Sequence, residues 1–241
     1  MSTKRSTRSA ASRVVANGAR PFKRAIRRSL GRLTRRRTIE SYVRSHSVRK
    51  LQIGSGPNPL EGWLNSDIRP RRGKRVLLDA TKPFPIDAKT FDYVYSEHMI
   101  EHLTFDQAMS MLRESYRILK PGGRIRVATP NLETIMNLAA TPGTELQRDY
   151  IEFITNRFLD PSWGYRASFA INAQYEVFGH RFLFDPETLE MAAREAGFDG
   201  ISWWEAGKSD DPHLIGVESH GKVVGDAMNR FETMVLEADR A

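Results

Sequence analysis

A chain of 241 residues with 40% apolar and 10% aromatic content can bury one α/β core or two very small ones. It contains no cysteine, which excludes disulfides, thiolate metal sites and thiol nucleophiles. The formal charge of +8 is unevenly divided: residues 1–50 hold 16 Lys and Arg against one acid, Glu40, a balance of +15, and the remainder carries −7.

The first 48 residues read as a basic, partly disordered tail, because their Ser, Thr and Arg leave little to bury. Within it Phe22, Ile26, Leu30 and Leu33 follow one helical stripe, which predicts an amphipathic helix near 21–36 with Arg on its other faces. Such a helix suits an anionic membrane surface, or a dock on the chain's own acidic body. The charged start lacks the apolar stretch of a secretory signal, and no run of about 18 apolar residues follows. The expected location is cytoplasmic, peripheral to a membrane where the tail engages one.

A body over 49–221 then alternates strand and helix signals. Lys50–Ile53 is a short strand entering Gly54-Ser55-Gly56, followed by strands over 63–68, 75–78 and 91–96. Ala108, Met111, Leu112, Ser115 and Leu119 repeat at helical spacing until Pro121-Gly122-Gly123 stops them, and 124–129 is the next strand. A looser aromatic-rich segment fills 135–183. Asp185-Pro186 starts a helix as cap and first turn, Gly197 ends it, and strands follow near 200–205 and 213–218. The last segment, 222–241, reads as an amphipathic helix on the stripe Ala227, Phe231, Met234, Val235 and Ala238. Strands alternating with helices predict a mostly parallel sheet covered on both faces.

Ligands of such sheets bind beyond the carboxyl ends of the strands. Gly54 and Gly56 let the backbone turn sharply there and approach a ligand without a Cβ between. A dinucleotide would need a third glycine and a helix N-terminus for its diphosphate. Pro57-Asn58-Pro59 stands there instead, so a diphosphate has a poor seat. Asp67 ends the second strand, where a carboxylate can accept both hydroxyls of a ribose. Asp79 and Ala80 end the third, within reach of an adenine amino group.

The strings Leu51–Gly56, Gly62–Asp67, Phe91–His98, Ile100–Leu103, Arg117–Gly123 and Pro130–Leu132 together resemble class I S-adenosylmethionine-dependent methyltransferase domains. The likeness is to a bacterial group related to the type 11 methyltransferases and covers roughly residues 49–220. It implies a Rossmann-like seven-stranded sheet with its last strand antiparallel, and S-adenosyl-L-methionine lying across the strand ends. Carried over by position, Gly54, Ser55 and Gly56 pass the methionine part of the cofactor, and Asp67 holds the ribose. Asp79 and Ala80 flank the adenine, Ser96, Glu97 and His98 line the site beside the sulfonium, and Ile68 is counted with the cofactor-binding residues. Ser55 departs from the cysteine many relatives carry, a change that a backbone-built loop tolerates.

Methyl transfer to an alcohol also requires loss of its proton, which histidine commonly accepts. His98 is the first candidate and His180 the second. His98 and His102 share a face if the segment is helical, but with no third ligand evident no metal is expected. The aromatics between Trp163 and Phe178, with Asn172 and Gln174, suit a sugar as well as a small core. The expected reaction is therefore O-methylation of a glycan, a lipid-linked sugar or another small hydroxyl compound. Alternatives are a methyltransferase for RNA or another polyanion recruited by the tail, and a non-catalytic cofactor-binding protein. The negative body and the lack of an RNA-binding module speak against nucleic acid.

Overall fold

The computed structural model describes residues 34–69, 75–140 and 143–241. The amphipathic stripe at 22–33 lies outside them. The residues that follow it correct the expected boundary, since the body begins before 49. Residues 34–45 form a helix, α1, whose Ile39 and Tyr42 are buried in the main core. Tyr42 is the reason. Its hydroxyl accepts the Lys50 N–H at 2.9 Å and lies 2.9 Å from the Gly62 carbonyl, tying α1 to the first strand.

Seven strands follow: β1 Lys50–Ile53, β2 Leu64–Asp67, β3 Val76–Leu77, β4 Phe91–Glu97, β5 Leu119–Pro130, β6 Asp199–Trp204 and β7 Thr233–Asp239. They form one sheet in the order β3-β2-β1-β4-β5-β7-β6. Neighbours from β3 to β5 run parallel, and β7 runs antiparallel to both β5 and β6. The expected Rossmann-like sheet is present. Between β1 and β4 the order reverses, one strand sequence running outward to β3 and the other to β6, which opens a crevice at the carboxyl ends there.

The helices lie where the sequence gives them a face and a cap. In α2, Phe105–Ile118, Thr104 accepts from Gln107 N–H while the Gln107 side chain accepts from Thr104 N–H, a reciprocal cap. Its Ala108, Met111, Leu112 and Ile118 are wholly buried on the sheet. Asp185 caps α6, Pro186–Glu195, through Thr188 N–H.

Three expectations change. The segment 135–183 is helical rather than loose: after α3, Leu132–Met136, come α4, Glu145–Phe158, and α5, Ala167–Glu176. A second apolar cluster, with Ile135, Tyr150, Ile154 and Ala170, binds them together beyond the end of β5. The segment 213–218 forms no strand. Its Leu214 and Val217 pack on Trp63 and Tyr95 instead, and Glu218 receives the fully buried Arg126 at 2.6 Å. The 222–241 helix is replaced by α7, Gly221–Val224, α8, Asp226–Glu232, and β7. The apolar residues at 234, 235 and 238 mimic a helical stripe, but β7 lies between two strands and is buried on both faces. Its Glu237 ion-pairs with Arg126. Among the described residues no helix is long and apolar enough to cross a membrane.

Candidate active site

A cavity of about 690 Å³ opens beyond the ends of β1, β2 and β3. Gly54, Gly56, Asp67, Ile68, Asp79 and Ala80 all line it, joined by His98. The glycines are there for cause. Gly54 has φ of +69° and a Cβ on it would lie 2.4 Å from Met99 Cγ; Gly56 has φ of +48°. Asp67 anchors the loop, its carboxylate accepting Gly56 N–H at 3.0 Å and Arg69 N–H at 2.6 Å. Asp79 accepts from the Thr81 N–H and hydroxyl.

Residues 57–63 contain no helix. Two buried amides hold them as a loop instead: Gln52 receives Leu60 N–H and reaches the Asn58 carbonyl, and Asn65 receives Leu60 N–H at 2.8 Å and bonds the Leu60 carbonyl. No helix N-terminus therefore faces the cavity from the glycine loop, and a diphosphate lacks its usual seat. Two carboxylates at strand ends and an apolar strip of Ile53, Leu78 and Leu103 fit a nucleoside without one.

Three residues expected at the cofactor stand elsewhere. Ser55 is buried behind the loop, where its hydroxyl accepts from Arg75 Nε at 2.9 Å. Ser96 is fully buried within β4. Glu97 turns to the far side and accepts Ser219 N–H, Ser219 Oγ–H and His220 N–H, each at 2.7 Å. Sequence reasoning missed Met99, Leu103, Gln107 and Arg181, which complete the wall. The Ile100–Leu103 string carried the signal for Leu103.

A second cavity, about 250 Å³, lies against the first. Its wall joins His98 and His102 after β4, Pro130 at the end of β5, Ile154 and Phe158 of α4, Gln174 of α5, and Phe178 and His180. Val223, Val224, His220 and Glu232 close it from α7 and α8. His98 and His102 line both cavities. Of the aromatics in 163–178, Phe178 reaches this wall, whereas Trp163, Tyr165 and Tyr175 are exposed.

His98 and His102 do not share a helical face. His98 has φ of +44°, a left-handed conformation that costs a non-glycine residue about 1–3 kcal/mol. The turn that follows, Ile100–His102, is a short 3₁₀ helix. His98 Nε2 meets Thr233 Oγ at 3.1 Å and its Nδ1 faces Glu101 Oε1 at 3.4 Å. Burial alone would lower the His98 pKa, but the hydrogen bond and charge of Glu101, aided by Glu232 and Glu97, raise it. For Glu101, burial works upward and is outweighed by His98 and His180, leaving its carboxyl below the usual range. Burial dominates at His180 and lowers it to about 4. His220 packs on His98 with ring centroids 3.8 Å apart and bonds Glu232 through Nε2 at 2.6 Å.

Residues 64–127, from β2 into β5, match the family model described as a methyltransferase domain. No curated protein matches the chain. Among solved structures it is similar to a methyltransferase of Thermotoga maritima described as a possible histamine N-methyltransferase. That likeness has 20% identity over 87% of this chain and 92% of the other, with a TM-score of 0.49. It is also similar to a methyltransferase of Archaeoglobus fulgidus, at 19% identity over 88% and 94%, TM-score 0.46. A third likeness is to phosphoethanolamine N-methyltransferase 2 of Haemonchus contortus, at 15% identity over 80% of this chain and 48% of the other, TM-score 0.43. The match to the methyltransferase-domain model is thus confined to residues 64–127, the stretch that carries β2, β3, β4 and the start of β5.

Proposed function

We propose that this S-adenosylmethionine-dependent methyltransferase methylates a hydroxyl of a small compound or of a glycan terminus. The observation that carries the reading is the shared wall: His98 and His102 border both the strand-end cavity and the smaller cavity beside it. Asp67 would hold the ribose hydroxyls, Ile68, Asp79 and Ala80 would flank the adenine, and Gly54 and Gly56 would pass the methionine part. When bound, the cofactor supplies an electrophilic methyl group on a sulfonium. The chain's task is alignment, and holding reactants in line can contribute about 7–11 kcal/mol over free encounter.

The acceptor sits in the 250 Å³ cavity. That is below the roughly 300–1,000 Å³ of pockets for drug-sized ligands, so one ring or one terminal group enters it. Gln174, almost wholly buried and on the wall, offers polar atoms for hydroxyls, while Phe178 and Ile154 offer faces. His98 takes the proton of the acceptor hydroxyl at Nε2, the nitrogen that stands 3.1 Å from Thr233 Oγ. Glu101 at Nδ1 orients the ring and stabilises its charged form, the usual arrangement of a base held by a third group. His180 is the second acceptor in the same wall.

A panel of hydroxyl compounds, glycans and RNA, incubated with the full chain and methyl-labelled cofactor, tests this. Label in an alkali-stable methyl ether is the expected result. Label on nitrogen, or on RNA alone, overturns it. The polyanion reading keeps one observation in its favour, the +15 balance of residues 1–50.

A further inference from the structure

We propose that Glu101, His102 and His180 bind one divalent transition-metal ion at the junction of the two cavities. Each offers one ligand atom, and the three atoms lie within 4.8 Å of one another. Glu101 and His102 come from the 3₁₀ turn after β4, and His180 arrives from the loop after α5. Neighbours in sequence supply two ligands and a residue about 80 positions on supplies the third, so the pair alone shows no site.

The hydrogen bonds leave the inward atoms open. Glu101 is fully buried; its Oε2 accepts the Thr129 hydroxyl at 3.0 Å, while Oε1 is the oxygen on which the imidazoles converge, 3.4 Å from His98 Nδ1 and 3.9 Å from His180 Nε2. His102 Nδ1 lies 3.3 Å from the Gly179 carbonyl, which holds the proton on that nitrogen and leaves the Nε2 lone pair free. His180 is buried and turns its Nε2 toward Glu101 Oε1, 3.9 Å away. A ligand carboxylate and a ligand imidazole, each pinned through its other polar atom, are what an outer sphere provides around a metal. Two imidazoles and one carboxylate suit zinc and its first-row neighbours, whereas magnesium and calcium favour oxygen alone. A tetrahedral centre with bonds of roughly 2.0–2.1 Å needs ligands about 3.3 Å apart, so the three atoms draw closer together when an ion binds.

The adjoining group His98, His220 and Glu232 has similar spacing, but both oxygens of its carboxylate are already bonded. Glu232 Oε1 bonds His220, Oε2 accepts the Tyr150 hydroxyl, and His98 Nε2 bonds Thr233. An ion therefore goes to the Glu101 group. Three protein ligands leave one position open toward the smaller cavity, whose wall includes His102 and His180. If the hydroxyl reading of the preceding section holds, the acceptor oxygen occupies that position and becomes more acidic there. Metal binding itself does not depend on that reading.

The untagged full chain, stripped with chelator and dialysed, is titrated with Co²⁺ and Zn²⁺ by calorimetry, without cofactor or acceptor. Visible absorption follows the Co²⁺ arm. One ion per chain, with d–d bands of low-coordinate nitrogen and oxygen ligation, is expected. His102→Ala, at an exposed position, weakens binding tenfold or more, as does Glu101→Gln, and His220→Ala leaves it within twofold. Circular dichroism melts confirm that each variant is folded, and should Glu101→Gln fail to fold, His102→Ala decides alone. No stoichiometric binding by the wild-type chain overturns the proposal. So does a His102→Ala variant that binds like wild type, or a loss that follows His220→Ala instead. Methyl transfer without metal binding would sink this inference and spare the hydroxyl reading; metal binding with label on nitrogen would do the reverse.

Discussion

The two cavities of this molecule are built by different means. The larger one is a product of the backbone: three consecutive strand ends, two glycines in left-handed conformations and carboxylates that cap the loops they sit on. The smaller one is a product of side chains, four histidines and Glu232, brought from the β4 turn, the loop after α5 and the α7–α8 hairpin. A cavity fixed by sheet geometry depends little on the side chains behind it, whereas a cavity fixed by converging side chains changes with each of them.

Substitutions can break that contrast. The largest expected effect is on the side-chain cavity: His98→Ala lowers turnover by about 10²–10⁴-fold, the usual range for a positioned proton acceptor. Cofactor affinity by calorimetry stays near wild type. Turnover within a fewfold of wild type would move the base to His180, and a parallel loss of cofactor affinity would erase the distinction between the cavities. On the backbone side, Gly54→Ala combines a positive φ with a Cβ 2.4 Å from Met99 Cγ. A loss of about 2–4 kcal/mol in denaturant unfolding is expected. A variant as stable as wild type would show that the loop relaxes and that backbone shape is not what fixes this wall. Smaller again, Asp67→Ala should cost about 2 kcal/mol of cofactor binding, roughly 30-fold in dissociation constant. It removes the acceptor of the Gly56 and Arg69 N–H groups as well as the partner proposed for the ribose. An unchanged dissociation constant would place the ribose elsewhere.

The same contrast decides what the sequence could show. Gly54, Gly56, Asp67 and Asp79 stand where strands end within one short stretch, so a linear reading places them on one edge. Ser96 and Glu97 follow the same logic and depart from it. Side chains alternate along β4, so the strand end puts Ser96 inside the sheet and sends Glu97 to bind 219–220. The histidine cavity was legible only as isolated residues. His98 and His102 have helical spacing, and nothing in their spacing announces the left-handed φ that separates them. Glu232 lies in the segment 222–241 read as one helix, where burial of β7 on both faces overrides the apparent stripe, and His220 stands just before it.

The tail is the smallest expected effect and the sharpest test of where acceptor recognition lives. Removing residues 1–48 would be a poor experiment, because it takes Ile39 and Tyr42 out of the core and frees the start of β1. Removing 1–33 leaves those contacts in place and deletes 10 of the 16 cations of residues 1–50. If the 250 Å³ cavity reads the acceptor, turnover of a small hydroxyl compound changes by less than about twofold. It then depends on salt no more steeply than the full chain does. A polyanion held by the tail behaves differently. Its affinity falls steeply with ionic strength, since each neutralised phosphate releases a counterion. A large loss of activity on truncation, matched by the same loss when salt is raised for the full chain, would hand recognition to the tail and leave the histidine cavity only the chemistry.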